Sequence, residues 1–263
     1  MVMNGLTLAG LGVLVLSSGC GSPSAAVEAT AERCSAIVGG TPDDAHAGVL
    51  ALLDPAGELV CSGSLIRAGD MPAVLTAAHC LRESIAEAAS GQDYTAADRA
   101  SFRVSGQFSH PDFDAESGDF DFGLVILEPG VDPAWVLPVP ALESDLLSPG
   151  TSVRFVGYGS TDGPITNTLR NQVSGAILSL TDTSFEYLQA RGGPCAGDSG
   201  GPAFADVEGR STLVGVTSFG IGDCWDRGVS ARVSAAREFI DAALGSAELP
   251  CAGGGNERTP VRP

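Results

Sequence analysis

A serine lies in a glycine-rich segment with the sequence GDSGGP, at residues 197–202. Glycine on either side lets the backbone make a tight turn that exposes the Ser199 hydroxyl and leaves backbone N–H groups available to an oxyanion. The pattern Gly-x-Ser-x-Gly also occurs in α/β-hydrolases, in which the catalytic histidine follows the serine. The three histidines of this chain, His46, His79 and His110, all precede Ser199. This order excludes an α/β-hydrolase.

A histidine and two carboxylates stand at the ends of apolar segments before the serine. His79 closes one apolar segment (LTAAHC), and Asp119 and Asp121 directly precede another (FGLVIL). A histidine can take the proton of a weak serine nucleophile, and a carboxylate can orient the imidazole and stabilise its charged form. His46 and His110 are predicted to lie in loops without a catalytic role. The chain order His, Asp, Ser therefore predicts a triad with either carboxylate.

Four motifs together resemble the trypsin/chymotrypsin family of serine proteases, and the resemblance covers about residues 37–245. They are TAAHC around His79, the D-x-G-L-x-x-L strand that begins at Asp121, GDSGGP around Ser199 and IVGG beginning at Ile37. The resemblance implies a serine endopeptidase that hydrolyses peptide bonds through an acyl-enzyme. It favours Asp121 over the other carboxylate, because Asp121 directly precedes the family's strand.

The resemblance also assigns roles to the site residues. Ser199 would be the nucleophile, His79 the general base and acid, and Asp121 the group that orients the imidazole. The N–H groups of Gly197 and Ser199 would form the oxyanion hole. The alternative function is that of a catalytically silent protease homologue acting as a surface binding protein, and the complete triad argues against it. No cofactor is implied, and no spacing of metal ligands is visible.

The residue pattern predicts an all-β fold. About a dozen short apolar or alternating runs are separated by Gly, Pro and Asp turns, which is typical of a barrel or sandwich. The resemblance implies two six-stranded antiparallel β-barrels, at about 37–140 and 141–233, with the site in the cleft between them. Residues 234–244 form an amphipathic pattern and are predicted to be a C-terminal helix. Residues 82–100 are predicted to be a loop with a helical turn.

The resemblance implies that the chain is a zymogen. Cleavage after Ala36 would free the amine of Ile37, which would insert beside Asp198 and order the oxyanion hole. Ala36 is not basic, so activation by a trypsin-like protease is not expected.

The resemblance also implies a substrate pocket beside the serine. Gly193 would lie at its base, where trypsin-like enzymes have Asp, and glycines in both walls would leave it open to Phe, Tyr, Leu or Met. Asp223 and Asp226 lie near the mouth and would instead favour basic groups if they pointed inward. The predicted lining is Gly193, Ser218, Gly220 and Gly228.

Seven cysteines occur at wide spacings, without a C-x2-C pair, which favours disulfides over zinc. The resemblance pairs Cys61 with Cys80 and Cys195 with Cys224. It does not settle Cys34 and Cys251, which could pair with each other and tether the pro-segment, pair elsewhere, or remain free. Cys20 would then be the odd cysteine.

The first residues predict export. The apolar run Leu6–Leu16 is shorter than a membrane span and fits a signal peptide over residues 1–19. The run ends in LSSGC, which resembles a bacterial lipoprotein signal with Cys20 as the acylated residue; an ordinary secretory signal with an incidental Cys20 is the alternative. Residues 20–36 are predicted to be a linker or pro-segment. Residues 246–263 are predicted to be a C-terminal tail.

The composition limits the partners. The formal net charge is −18, and hydrophobic residues make up 44% of the chain. A strongly acidic chain argues against a nucleic-acid partner, because phosphate binding needs a basic face. The sequence therefore predicts a bacterial, exported monomer that acts on protein or peptide substrates, either secreted or held at the outer surface by a lipid anchor.

Overall fold

The computed structural model describes residues 37–67, 70–135, 137, 147–160 and 167–245. The predicted signal peptide, the linker, Cys20, Cys34, Cys251 and the tail lie outside the described residues. Among the residues described, no helix is long and apolar enough to cross a membrane.

Six antiparallel strands close a first barrel. A two-residue strand, β1 (Thr41–Pro42), precedes it. Around the barrel the order is β2-β3-β4-β7-β6-β5, and β5 pairs back onto β2. Strands β2 and β7 are apolar and buried at every residue, whereas β6 alternates between half-buried and exposed residues along most of its length. The strands are β2 (Val49–Leu53), β3 (Leu59–Arg67), β4 (Ala73–Thr76), β5 (Glu87–Ser90), β6 (Ala100–Ser109) and β7 (Gly123–Leu127).

A second six-stranded antiparallel barrel follows. Its order is β8-β9-β10-β13-β12-β11, with β11 pairing back onto β8, and β1 adds to the outer edge of β9. The strands are β8 (Ser152–Gly157), β9 (Asn171–Leu180), β10 (Ser184–Leu188), β11 (Pro202–Val207), β12 (Arg210–Ile221) and β13 (Arg227–Arg232).

The helix α1 (Arg237–Gly245) ends the described chain. The prediction of two six-stranded antiparallel barrels with one short C-terminal helix is therefore confirmed. The helical segment starts earlier than the pattern indicates, because a 3-10 turn at Val233–Ala236 leads into α1. Such turns are frequent at the ends of α-helices.

Strand β5 corrects the prediction of a loop over residues 82–100. Its sequence, EAAS, has little intrinsic strand preference. Ala88 and Ala89 are nevertheless fully buried, and β5 hydrogen-bonds to both β2 and β6. Pairing with its neighbours, rather than its own composition, therefore makes this segment the strand that closes the first barrel.

A buried ion pair fixes the chain just after β1 to the second barrel. The carboxylate of Asp43 accepts hydrogen bonds from Nε of Arg170 at 2.9 Å and from Nδ1 of His46 at 2.7 Å. Arg170 also donates to the hydroxyl of Tyr158 at 3.2 Å. Burial by itself would raise the pKa of Asp43, but hydrogen bonding and charge from His46, together with Arg170, outweigh it and lower the pKa. His46 therefore belongs to this structural network.

Replacing Arg170 should test how much this network contributes to the free energy of unfolding. Arg170→Met leaves the buried Asp43 carboxylate without its guanidinium partner, and we expect the free energy of unfolding at pH 7 to fall by about 3–5 kcal/mol. The double variant Asp43→Asn/Arg170→Met should recover part of the loss, because no buried charge remains. The control is Arg227→Met, which breaks the half-exposed pair with Glu186 and should cost less than about 1 kcal/mol. Equal losses in urea unfolding for Arg170→Met and Arg227→Met would contradict the interpretation.

Candidate active site

His79 and Asp121 form a close pair beside the first barrel. His79 lies in a 3-10 turn, Ala78–Arg82, that follows β4, and Asp121 lies two residues before β7. Because β4 and β7 are neighbours in the barrel, both side chains come to the same edge. Nδ1 of His79 lies 2.7 Å from Oδ2 of Asp121, and the backbone N–H of His79 donates to Oδ1 at 2.9 Å. A carboxylate accepts, so this contact holds the proton on Nδ1 and leaves Nε2 as the acceptor.

Asp121 stays ionised although it is buried. Burial acts to raise its pKa, but the hydrogen bonds and charge of His79, together with a hydrogen bond from Ser218, outweigh burial and lower the pKa. The Ser218 hydroxyl donates to Oδ2 from β12 of the second barrel. Asp119, the other candidate carboxylate, is turned elsewhere and accepts a hydrogen bond from Thr183 at 2.8 Å. The structure thus brings Asp121, and not Asp119, to the histidine.

The turn around Ser199 is held by the first barrel. Gly197 and Gly200 have φ of 90° and 78°, which glycine adopts without strain. The backbone N–H of Ser62, in β3, donates to the Ser199 carbonyl at 2.8 Å, and its hydroxyl donates to the Gly197 carbonyl at 3.0 Å. The N–H groups of Gly197 and Ser199 donate to no acceptor in the described part of the chain. They are therefore available to a negatively charged ligand atom.

Ser199 and His79 line two cavities with shared walls, but no hydrogen bond joins their side chains in the part of the chain that the structure describes. Within the described residues the Ser199 hydroxyl makes no hydrogen bond, and Nε2 of His79 lies 3.8 Å from Sγ of Cys80. Ser199 lines one cavity and His79 with Asp121 lines another, and the two cavities share Ser218 and Phe219 as walls. Catalytic hydrogen bonds are often long or poorly aligned without a substrate.

Two disulfides flank these groups. Cys61 is bonded to Cys80, next to His79, and Cys195 is bonded to Cys224 across the cavity that Ser199 lines. Both predicted pairings are confirmed. Cys61, His79 and Cys80 also lie close enough together to suggest a metal site, but both sulfurs are used in the disulfide.

The cavity beside Ser199 differs from the predicted slot. It has a volume of about 370 Å³, and Ser218 and Gly220 line it as expected. Gly193 and Gly228 are not among the residues that line it in the described part of the chain. A Cβ on Gly193 would overlap the amide of Gln189, and a Cβ on Gly228 would overlap the ring of Tyr187, so two other side chains fill the expected space.

Asp198 is a second buried carboxylate, next to the serine. Its oxygens accept the backbone N–H groups of Gly159 at 2.8 Å and Cys195 at 2.9 Å, and no cation pairs with it among the described residues. Burial raises its pKa to about 7 in spite of these two hydrogen bonds. Ile37 is also fully enclosed, and the following Val38 exchanges two backbone hydrogen bonds of 3.0 Å with Gly193.

The sequence missed three residues of the site. Ser62 and Gln189 carry no recognisable signal, because their roles depend on strands that are distant in the chain. Tyr187 also lies outside every motif of the sequence. In the structure Tyr187 pairs with Gly228 in the neighbouring strand β13, and its ring packs against that glycine.

The fold and the site together define a chymotrypsin-like protein. Two closed antiparallel barrels meet where a histidine–carboxylate pair from one approaches a glycine-flanked serine from the other. Human heparin binding protein superposes with a TM-score of 0.72 at 23% identity, over 82% of this chain and 100% of that chain. A double mutant of the same protein gives 0.71 at 23% identity, over 83% and 100%. These likenesses support the fold.

The sequence comparisons then give the family. The family model described as Trypsin matches residues 37–240. Trypsin 5G1 of Aedes aegypti is 29% identical over 203 residues, which are 68% of this chain and 73% of that protein. The chain belongs to the trypsin family.

The raised pKa of Asp198 predicts a pH dependence of stability. With Ile37 still joined to Ala36, the folded chain binds more protons than the unfolded chain between the unfolded pKa of Asp198, near 3.8, and the folded value of about 7. Stability should therefore fall as pH rises through this window, by up to about 1.4 kcal/mol per pH unit from this group. Asp198→Asn should remove this component in urea unfolding of the uncut chain. Asp119→Asn is the control, and a slope unchanged by Asp198→Asn would disprove the assignment.

Proposed function

We propose that this chain is a serine endopeptidase. The observation that carries the proposal is the pairing of His79 with the buried Asp121 beside a serine turn whose Gly197 and Ser199 N–H groups have no described acceptor. Membership of the trypsin family supports it, because serine protease is the activity that gives the family its name.

In the first half of the proposed reaction, Ser199 Oγ attacks the carbonyl carbon of the scissile peptide. Its proton passes to Nε2 of His79, which must first accept a hydrogen bond from the hydroxyl. Asp121 holds the proton on Nδ1 and stabilises the imidazolium. The carbonyl oxygen becomes an oxyanion and accepts the N–H groups of Gly197 and Ser199. His79 then gives its Nε2 proton to the leaving amine, the C–N bond breaks, and an acyl-serine remains.

The second half repeats these roles with water. His79 takes a proton from a water molecule, which attacks the acyl carbon, and the oxyanion forms again in the same place. The tetrahedral intermediate collapses, Ser199 Oγ leaves with the proton from Nε2, and the carboxylic acid product departs.

The second candidate function is that of a surface binding protein without peptidase activity. Two observations favour it: among the described residues no hydrogen bond joins the hydroxyl of Ser199 to His79, and the fold is shared with a protein named for heparin binding. The formal net charge of −18 argues against a polyanion such as heparin as the partner of this chain. Labelling of Ser199 by a fluorophosphonate would distinguish the two functions, because only an activated serine reacts.

Replacing the triad should remove peptide hydrolysis without unfolding the protein. We expect Ser199→Ala and His79→Ala to lower kcat by about 10⁶-fold, and Asp121→Asn by about 10⁴-fold through loss of the correct tautomer. Asp119→Asn is the matched control and should keep a kcat close to that of the unsubstituted protein. The measurements are kcat on peptide substrates and fluorophosphonate labelling, with circular dichroism to check the fold. Near-normal hydrolysis by Ser199→Ala would rule out the proposed nucleophile.

Cleavage between Ala36 and Ile37 is the proposed activation step. The freed ammonium of Ile37 would pair with Asp198, whose burial otherwise makes the charged form costly. Pairing would lower the pKa of Asp198 and raise that of the amine above its usual value of about 7.7–8.0. The active conformation should then be lost as pH rises through this raised value, because the amine becomes neutral and the ion pair disappears.

The activation scheme predicts that Asp198→Asn is cut normally but stays inactive. Activity of the cut, unsubstituted protein should fall at alkaline pH with the titration of the Ile37 amine. N-terminal sequencing identifies the cut, and peptide hydrolysis between pH 6 and pH 10 gives the profile. Full activity in a chain shown to be uncut at Ala36–Ile37 would contradict the scheme.

Export and anchoring are proposed on the sequence alone. Acylation of Cys20 would place the protein at a bacterial surface, and a Cys34–Cys251 disulfide would keep the pro-segment attached after the cut. Non-reducing mass mapping of the cut sample should then find one linked peptide pair that contains both cysteines. Complete release of active protein from membranes without a reductant would exclude the tether or the lipid.

A further inference from the structure

An amide side chain, that of Gln189, lines the cavity beside Ser199 at the end next to Gly193, and this end is called the floor here. Gln189 directly follows β10, is only 1% exposed and occupies the space next to Gly193. It lines the cavity together with Tyr187, Pro194 and several residues between Cys195 and Cys224. A polar side chain at the floor changes which substrate side chain the cavity would accept.

The orientation of this amide is fixed by its hydrogen bonds. Nε2 of Gln189 donates to the carbonyl of Pro194 at 2.7 Å and to the carbonyl of Cys224 at 3.2 Å. Rotating the amide by 180° would put Oε1 against two carbonyl oxygens and lose both bonds. Oε1 therefore keeps its place, and it accepts no hydrogen bond from any residue that the structure describes. In the described residues, the fully enclosed side-chain N and O atoms without a hydrogen-bond partner are Ser64 Oγ, Arg99 Nε and Ser230 Oγ. Oε1 of Gln189 is not one of them, so it is not fully enclosed.

Two other polar side chains that line the cavity are already engaged elsewhere. The Ser218 hydroxyl is already given to Asp121. Asp223 is exposed, and its Oδ1 accepts the backbone N–H of Trp225 at 2.9 Å. A carboxylate in contact with water contributes little to the binding of a cation. A buried ammonium or guanidinium would therefore lose its hydration without gaining a buried carboxylate among the described lining residues.

We propose that Gln189 is a specificity-determining residue that selects, before the scissile bond, an uncharged side chain ending in a hydrogen-bond donor, so that Tyr is preferred to Phe. The inference rests on the proposed peptidase function. The phenol O–H of a bound Tyr satisfies Oε1, whereas a bound Phe covers Oε1 and leaves it unpaired. Sites that hydrogen-bond a substrate hydroxyl reject the analogue without it, because the buried partner is left unsatisfied.

The first test uses the unsubstituted, cut protein with peptides that differ only before the scissile bond. We expect kcat/KM for Tyr to exceed that for Phe by about 10-fold, the effect of leaving one neutral acceptor unpaired. A 4-methylphenylalanine peptide has a tip of similar size without a donor and should be no better than Phe. Equal rates for Tyr and Phe would overturn the proposal, and so would cleavage mainly after Arg or Lys.

The second test removes the acceptor. Gln189→Met has a similar volume and no amide, and the ratio of kcat/KM for Tyr to that for Phe should fall to near unity. Gln107→Met is the matched control, because Gln107 also donates to two backbone carbonyls, those of Leu81 and Glu83, but lies outside the cavity. The control should keep the ratio. A ratio that survives in a folded Gln189→Met would overturn the role of Gln189, and the peptide series decides if this variant does not fold.

Fluorophosphonate labelling distinguishes a failure of the proposed role of Gln189 from a failure of the proposed peptidase function. Labelling and hydrolysis without discrimination between Tyr and Phe would refute the role of Gln189 and leave the peptidase function standing. No labelling and no hydrolysis of any peptide by the cut protein would refute both.

Discussion

Ser62 connects the two halves of the site. It is fully buried in β3, donates its N–H and its hydroxyl to the carbonyls of Ser199 and Gly197, and accepts the N–H of Tyr158 at its hydroxyl. Its own carbonyl accepts the hydroxyl of Thr76, in β4. Serine is small, and its hydroxyl can both donate and accept a hydrogen bond. It can therefore satisfy these partners where two backbone segments lie close together. These contacts, together with the hydrogen bond from Ser218 to Asp121, fix the turn around the serine relative to the barrel that carries the histidine.

Three buried aspartates differ in the partners that stabilise their charged form. Asp43 has His46 and Arg170 as partners, and Asp121 has His79 and a hydroxyl, so both carboxylates have lowered pKa values in spite of burial. Asp198 has only backbone N–H groups, and its pKa is raised to about 7. Side-chain hydrogen bonds and charge from neighbouring residues outweigh burial at Asp43 and Asp121, whereas the two backbone hydrogen bonds at Asp198 do not. The carboxylate next to the serine turn is thus the one left incompletely paired.

Local motifs predicted the parts of the site that depend on local chemistry. His79, Asp121 and the disulfide pairs could be identified because each lies in a short segment with a distinctive sequence. Strand β5 could not, because Ala88 and Ala89 prefer no strand and become one by pairing with neighbours on both sides. Ser62 was missed for the same reason, since its partners lie far away in the chain and only the closed barrels bring them together.

The cavity shows why the shape of a substrate pocket cannot be deduced only from the residues that are expected to line it. Glycine at 193 and 228 suggests empty space in the pocket. In this structure, however, each glycine makes room for a larger side chain next to it. An added Cβ at Gly193 would overlap Gln189, and one at Gly228 would overlap Tyr187. Packing is close throughout a protein interior, so volume removed at one residue is commonly filled from another. An acidic residue introduced at 193 would therefore first have to displace Gln189, and charge specificity here is a joint property of both positions.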